Sequence, residues 1–322
     1  MKKLTLLLLA VTAFAQGPGY HLLKKIPVPG EGNWDYLAID EPARRLYVSH
    51  GAQVEVIDID KDQPVGKIAG MNGVHGIAIA RNLNRGFITS GNTRTVKMFD
   101  LKTLESLADI PTGEGPDGAV FEPTTNRLFC FNHRGSSLTV IDAKEAKVVE
   151  NIELGGQPEF PVTDKGIVWV ILENISTLVK IDAKTLKMEK WPAPCKEPSG
   201  MDMDRKTRRL FIGCNDEKMG VADADTGKAV TTLPIGVHVD ATAFDPSSKL
   251  IFNANRGSVT IIHQDGPDKY SVVQTLEAAP RANTLALDPK THKLYMSAAD
   301  FDDAKPRAKM IPNTFAVYVY GK

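Results

Sequence analysis

Short apolar stretches with alternating or β-branched residues follow one another down this chain, and turn residues separate them. That period-two pattern reads as β-strands, and no stretch after residue 16 sustains a helical period. One phrase recurs: VEVIDI at 54–59, VKMFDL at 96–101, LTVIDA at 138–143, LVKIDA at 178–183 and MGVADA at 219–224. Its aspartates, Asp58, Asp100, Asp142, Asp182 and Asp223, are spaced 42, 42, 40 and 41 apart. A sixth copy, VTIIHQ at 259–264, puts His263 in the aspartate slot. Self-similarity at this period means stacked supersecondary units.

Each unit reads as four strands. An apolar strand comes first, such as GAVFE at 118–122, and a turn with a second strand follows, as in EPTTNRLF at 122–129 or DPKTHKLY at 288–295. The Asp-bearing strand is third, and a more polar fourth ends in Gly or Pro, as in KVVENIELGG at 147–156. Four antiparallel strands per unit of about 40 residues is the blade of a β-propeller. The first strands start near Asp35, His75, Asp117, Glu159, Ser199, Asp240 and Asn283, which predicts one all-β domain over 16–322 with seven blades. The seventh unit has its third strand at 313–320 and no fourth, whereas YHLLKKIPVPG at 20–30 looks like a fourth strand without a blade. The two are expected to combine and close the ring, which removes an exposed sheet edge.

Composition adds limits. Net charge is zero with a pI near 7.1, so no global basic field for nucleic acid exists. Lys2 and Lys3, the apolar run Leu4 to Val11 and Ala13-Phe14-Ala15 read as a signal peptide over 1–15, cut before Gln16. The run is too short to span a bilayer, and no cysteine follows the cut for a lipid anchor. A soluble, monomeric, periplasmic or secreted protein without a membrane anchor is expected. Of three cysteines, Cys130 lies inside a strand, while Cys195 and Cys214 fall on one face of the fifth unit and are expected to form a disulfide.

The run from RLYV through a polar loop to V-x-V-I-D, clearest at RRLYVSHGAQVEVID (44–58) and NRLFCFNHRGSSLTVID (126–142), resembles the YVTN-repeat (YncE-like) propellers of exported bacterial proteins. The resemblance spans 20–322 and departs in the fourth unit, which lacks the Pro turn, and at an insert over 299–312. It implies a WD40-like repeat fold and a binding or scaffold role, and it carries no catalytic motif.

Propeller geometry sorts the loops. The starts of the innermost strands and the loops between second and third strands share one face, around the channel mouth. That face collects Asp35, His75, Asp117, Glu159, Asp240 and Asn283, with Arg134 and Arg256, as candidate ligand-binding residues. Four of the seven histidines, His50, His75, His133 and His238, fall there too and with Asp240 form a candidate set for a divalent metal. The bland alternative is that propeller loops are polar because they meet water. Arg94, Arg134 and Arg256 recur at equivalent loop positions, where guanidinium groups suit an anion, although repeat descent explains them equally. The repeated aspartates start turns and are read as structural. No nucleophile elbow, phosphate loop or Cys-x-x-Cys is present. The leading expectation is a non-enzymatic binding protein that takes a protein or small-molecule ligand at the mouth. The alternatives are a lactonase-like hydrolase, with His75, Glu159, Asp240 and Arg281 in its site, and a metal-binding protein of the cell envelope.

Overall fold

A computed structural model describes residues 17–28, 30, 32–302 and 309–322; the expected signal peptide lies outside them. Seven four-stranded antiparallel sheets form the blades of a β-propeller. Their innermost strands are Leu37–Asp40, Val74–Ala80, Pro116–Glu122, Pro158–Asp164, Pro198–Asp204, Ala241–Asp245 and Ala286–Leu287. The only helical segments among the described residues are two single 3-10 turns, Arg81–Leu83 and Glu173–Ile175.

The last blade closes as the unpaired segments predict. Strand His21–Pro27 pairs antiparallel with Ala316–Gly321, giving a sheet assembled from both ends of the fold. Ile26 and Val28 bury against Val317, Val319 and, across the seam, Leu37 and Leu46 of the first blade. Arg44 of the first blade donates two hydrogen bonds, at 2.9 and 2.7 Å, to the buried carboxylate of Asp288 in the seventh. The remaining blades are held by apolar side chains at each interface. Between the first two, Tyr47, Val54 and Val56 meet Ile77, Ile88 and Phe99.

The repeated aspartates are turn residues. Asp58 Oδ1 accepts the backbone N–H groups of Asp60 and Lys61 at 3.0 and 2.9 Å, and Asp100, Asp142, Asp182 and Asp223 repeat the arrangement. The backbone N–H of Thr103 holds Asp100, and that of Thr185 holds Asp182, below the usual carboxylate range. The acids that open the far-face turns work alike: Glu122, Asp204, Asp245 and Asp288 each accept the N–H two residues on. The fourth blade lacks the Pro turn and uses Lys165 and Gly166, both at positive φ (48° and 81°), for a tight hairpin. Within the insert, Phe301–Asp302 pairs antiparallel with Lys309–Met310.

Cys195 and Cys214 are disulfide-bonded with Cα atoms 6.0 Å apart, and Cys130 is buried and free. Thiol titration of denatured, unreduced protein is expected to find one thiol. Reduction should then lower stability by roughly 2–4 kcal/mol, as a loop of this size predicts. Three thiols in protein made under oxidising conditions would show that the bridge does not form.

Candidate metal centre at the channel mouth

The mouth narrows because glycine follows the first polar residue of the inner strands of blades two, three and five: His75-Gly76, Asp117-Gly118 and Ser199-Gly200. A Cβ on Gly76 would stand 2.4 Å from the Asp117 carbonyl oxygen, and one on Gly118 2.6 Å from that of Glu159. Only a residue without a Cβ lets these strands approach so closely. The approach sets the side chains of His75, Asp117 and Glu159 beside one another, although they lie 42 residues apart in sequence.

Two imidazole–carboxylate groups result. His75 Nδ1 lies 2.6 Å from Asp35 Oδ2 and 3.8 Å from Asp117 Oδ1. Its Nε2 edge is turned to Gly91, where a Cβ would be 3.0 Å away. His133 Nδ1 lies 2.8 Å from Glu159 Oε2 and 3.2 Å from the Pro158 carbonyl oxygen. The ligand atoms of Asp35, His75 and Asp117 lie within 4.8 Å of one another, as do those of Asp117, His133 and Glu159. Asp117 belongs to both sets. Across the mouth, Asp240 accepts hydrogen bonds from Ser199 Oγ (3.3 Å) and Asn283 Nδ2 (3.1 Å). A cavity of about 380 Å³ lies among Asp117, His133, Glu159, Glu173, Asp240 and Arg256.

Electrostatics at the mouth are unfavourable to the carboxylates. Burial, then the charge of Asp35, pushes Asp117 up to about 7. Burial, then Asp35 and Asp117, pushes Asp240 up to about 8. Glu159 is raised well above its ordinary range by burial and by Asp117 and Asp240. For His75 burial acts downward, but the hydrogen bond it donates to Asp35 and the charge of Asp117 outweigh it and raise the imidazole. Carboxylates crowded this way either hold protons or accept a cation.

Tyr36, which the sequence reading did not single out, sits beneath the ring of acids. Its hydroxyl is sealed from solvent without a hydrogen-bond partner, as is Asp117 Oδ1. Burial, then the charges of Glu159 and Asp117, raises that phenol well above its ordinary value. Tyr36 packs on Phe160 with ring centroids 5.2 Å apart. A cavity of about 370 Å³, lined by Phe160, Met201 and Phe244 together with the polar Glu41, Asp202 and Thr242, lies beyond this pair.

Other candidates are not drawn in. His50 does not join the mouth cluster: its ring is fully buried and stacked on Phe315 at 3.9 Å, with Glu55 as its nearest acid, also at 3.9 Å. It ends the strand Arg45–His50 instead of standing on the loop that follows, and Phe315 and Gly30 lie against its ring. His238 is exposed on the rim at φ 52°, lining the cavity beside Arg256. The three loop arginines do not form one anion clamp. Arg94 pairs with Glu114 at the surface, Arg134 donates to the Gly91 carbonyl at 2.8 Å, and Arg256 lies at the rim. Arg281 lies over the Phe301 ring, 4.1 Å from its centroid.

Known proteins agree on the fold. Residues 58–201 match a domain of unknown function, DUF5074. No curated protein is similar in sequence to the chain at a significant level. Among solved structures, that of U3-55K superposes with a TM-score of 0.78 at 10% identity, covering 92% of this chain and 97% of that one. The WD40 repeats of RRP9 give 0.80 at 9% identity, covering 95% and 99%. At such identities the likeness concerns the fold, which defines this chain as a seven-bladed propeller of WD40-like architecture. A fold shared at this distance assigns no function by itself. Among the described residues no helix is long and apolar enough to cross a membrane.

Proposed function

We propose that this chain is an exported, non-enzymatic binding propeller of the YVTN-repeat kind whose channel mouth takes up a divalent metal ion. The observation that carries the reading is the convergence of His75 and His133 with Asp35, Asp117 and Glu159, whose ligand atoms lie within 4.8 Å in each set. Imidazole nitrogen and carboxylate oxygen are the donors that zinc, manganese, cobalt and ferrous ions accept. A cation also relieves the repulsion that keeps Asp117 and Glu159 protonated, so uptake is expected to release protons. Export is supported by the basic, apolar and A-x-A-like segments at residues 2–15 and by the disulfide, which persists in oxidising compartments. No catalytic motif in the sequence competes with a binding role.

Calorimetric titration of chelator-stripped protein with zinc or manganese tests it. Binding on the order of micromolar or tighter is expected. Asp117→Asn should weaken it by at least about tenfold, roughly 1.4 kcal/mol, while Asp58→Ala, in a solvent turn, should leave it unchanged. No binding by the wild type, or equal loss in both variants, would sink the reading.

A further inference from the structure

We infer that the mouth is a dinuclear centre: it holds two divalent ions, and the Asp117 carboxylate bridges them. This rests on the metal-binding reading and goes beyond it in the number of ions and the group that joins them. The two ligand sets are complete and separate apart from one shared member. Asp35, His75 and Asp117 form one, and Asp117, His133 and Glu159 the other. Each offers one imidazole and two carboxylates, a three-ligand set that leaves coordination positions open. A carboxylate has two oxygens and can give one to each ion. Paired metal sites space their ions about 3.5–4 Å apart, a span one carboxylate covers.

Two further observations favour two ions. Both histidines already turn Nδ1 to a carboxylate, at 2.6 Å for His75 and 2.8 Å for His133, so each pair sets a nitrogen and an oxygen side by side as two ligands of one ion stand. A single ion serves only one of those pairs. Asp117 Oδ1 is sealed from solvent with no hydrogen-bond partner, 3.8 Å from His75 Nδ1. A buried acceptor left open in this way wants a ligand.

The donors decide the metal class. They are oxygen and imidazole nitrogen, and the Pro158 carbonyl, 3.2 Å from His133 Nδ1, adds another oxygen on that side. No thioether or thiolate belongs to either set. Cys195 and Cys214 lie with Asp216, but their sulfurs are joined to each other. The pair therefore suits manganese, ferrous, cobalt or zinc ions in preference to soft monovalent copper.

The test uses chelator-stripped, disulfide-intact protein reloaded with manganese(II), with elemental analysis for ion number and electron paramagnetic resonance for coupling. Two ions per chain and an exchange-coupled signal are expected. His75→Ala and His133→Ala should each retain one ion and give an uncoupled signal, and the double variant should retain none. Asp117→Asn should abolish coupling; near-ultraviolet circular dichroism checks that each variant keeps its fold, and the two histidine variants carry the test should Asp117→Asn not fold. One ion in the wild type overturns the dinuclear inference and leaves a single-metal mouth. No ion overturns the functional reading as well. Two uncoupled ions that survive Asp117→Asn would remove the bridge.

Discussion

A chain lacking residues 17–28 is expected to lose its folded, soluble state or to melt many degrees lower. The segment supplies the outer strand of the seventh blade, His21–Pro27, and leaves the edge of Ala316–Gly321 bare when removed. A bare, unpaired strand edge templates association with other chains. Tyr20, Ile26 and Val28 are nearly fully buried, at 2%, 3% and 1% exposure. Burial of such side chains stabilises by roughly 1.5–3 kcal/mol each, so the loss of three removes about 4.5–9 kcal/mol. That is a large part of the 5–15 kcal/mol that typically separates folded from unfolded protein. The segment also holds the neighbouring blade. Tyr20 packs edge-on against Phe252 at 5.1 Å, and its backbone exchanges two hydrogen bonds with Gln274. Calorimetry and light scattering check this directly. A truncated chain that stays monodisperse with an unchanged melting temperature would show that the ring does not depend on this closure.

This closure was legible in the sequence because repeats count themselves. Once six copies of a third strand are aligned, a spare fourth strand at one end and a missing one at the other have a single solution. The turn aspartates were legible for the same reason, since Asp58 and its equivalents occupy one slot with one local job. The mouth was legible as a list of residues and not as a cluster. Position in the repeat told which face His75, Asp117 and Glu159 share, but not how near they come. That depends on Gly76 and Gly118, whose missing Cβ atoms let the inner strands touch. The signal was present as His-Gly, Asp-Gly and Ser-Gly at three of the inner-strand starts, and it is a signal of close approach that the polar residues alone do not carry. His50 shows the converse. It ends the second strand in the slot that Asn132 fills in the third blade, one place before that of His133, and Phe315 takes its ring face. A repeat predicts a residue's position on a blade; what covers that position comes from outside the repeat.

Metal-free protein is expected to be most stable near pH 5 and to weaken steadily towards pH 8, and Asp240→Asn should flatten much of that decline. Asp240 faces Ser199 and Asn283, which donate to it, and feels the charges of Asp35, Asp117 and Glu173, with His238 and Arg256 at the rim of the same cavity. Burial, then those charges, raises its pKa from 3.8 to about 8. In the unfolded chain it ionises near 3.9. Between these values the folded state binds a proton that the unfolded state has released, so stability falls as pH rises through the window. Asp117, raised to about 7, acts in the same direction. So does His75, whose raised pKa contributes stability below its unfolded value that is lost as pH climbs. Below about pH 4 the turn acids take over. Asp58, Asp100 and Asp182 are held below their ordinary values and lose their contribution on protonation, which sets the acid limb. A carboxyl displaced this far is worth up to a few kcal/mol at pH 8, or several degrees of melting temperature. Asn keeps the acceptor for Ser199 and removes the charge, so Asp240→Asn should melt higher than wild type at pH 8 and close to it at pH 5. Bound divalent ions should reverse the slope in the wild type by compensating the same charges. Melting curves from pH 4 to 9, with and without metal, decide the matter. A metal-free wild type that gains stability up to pH 8, or a variant that melts lower there, would mean that the mouth carboxylates do not repel as their packing implies.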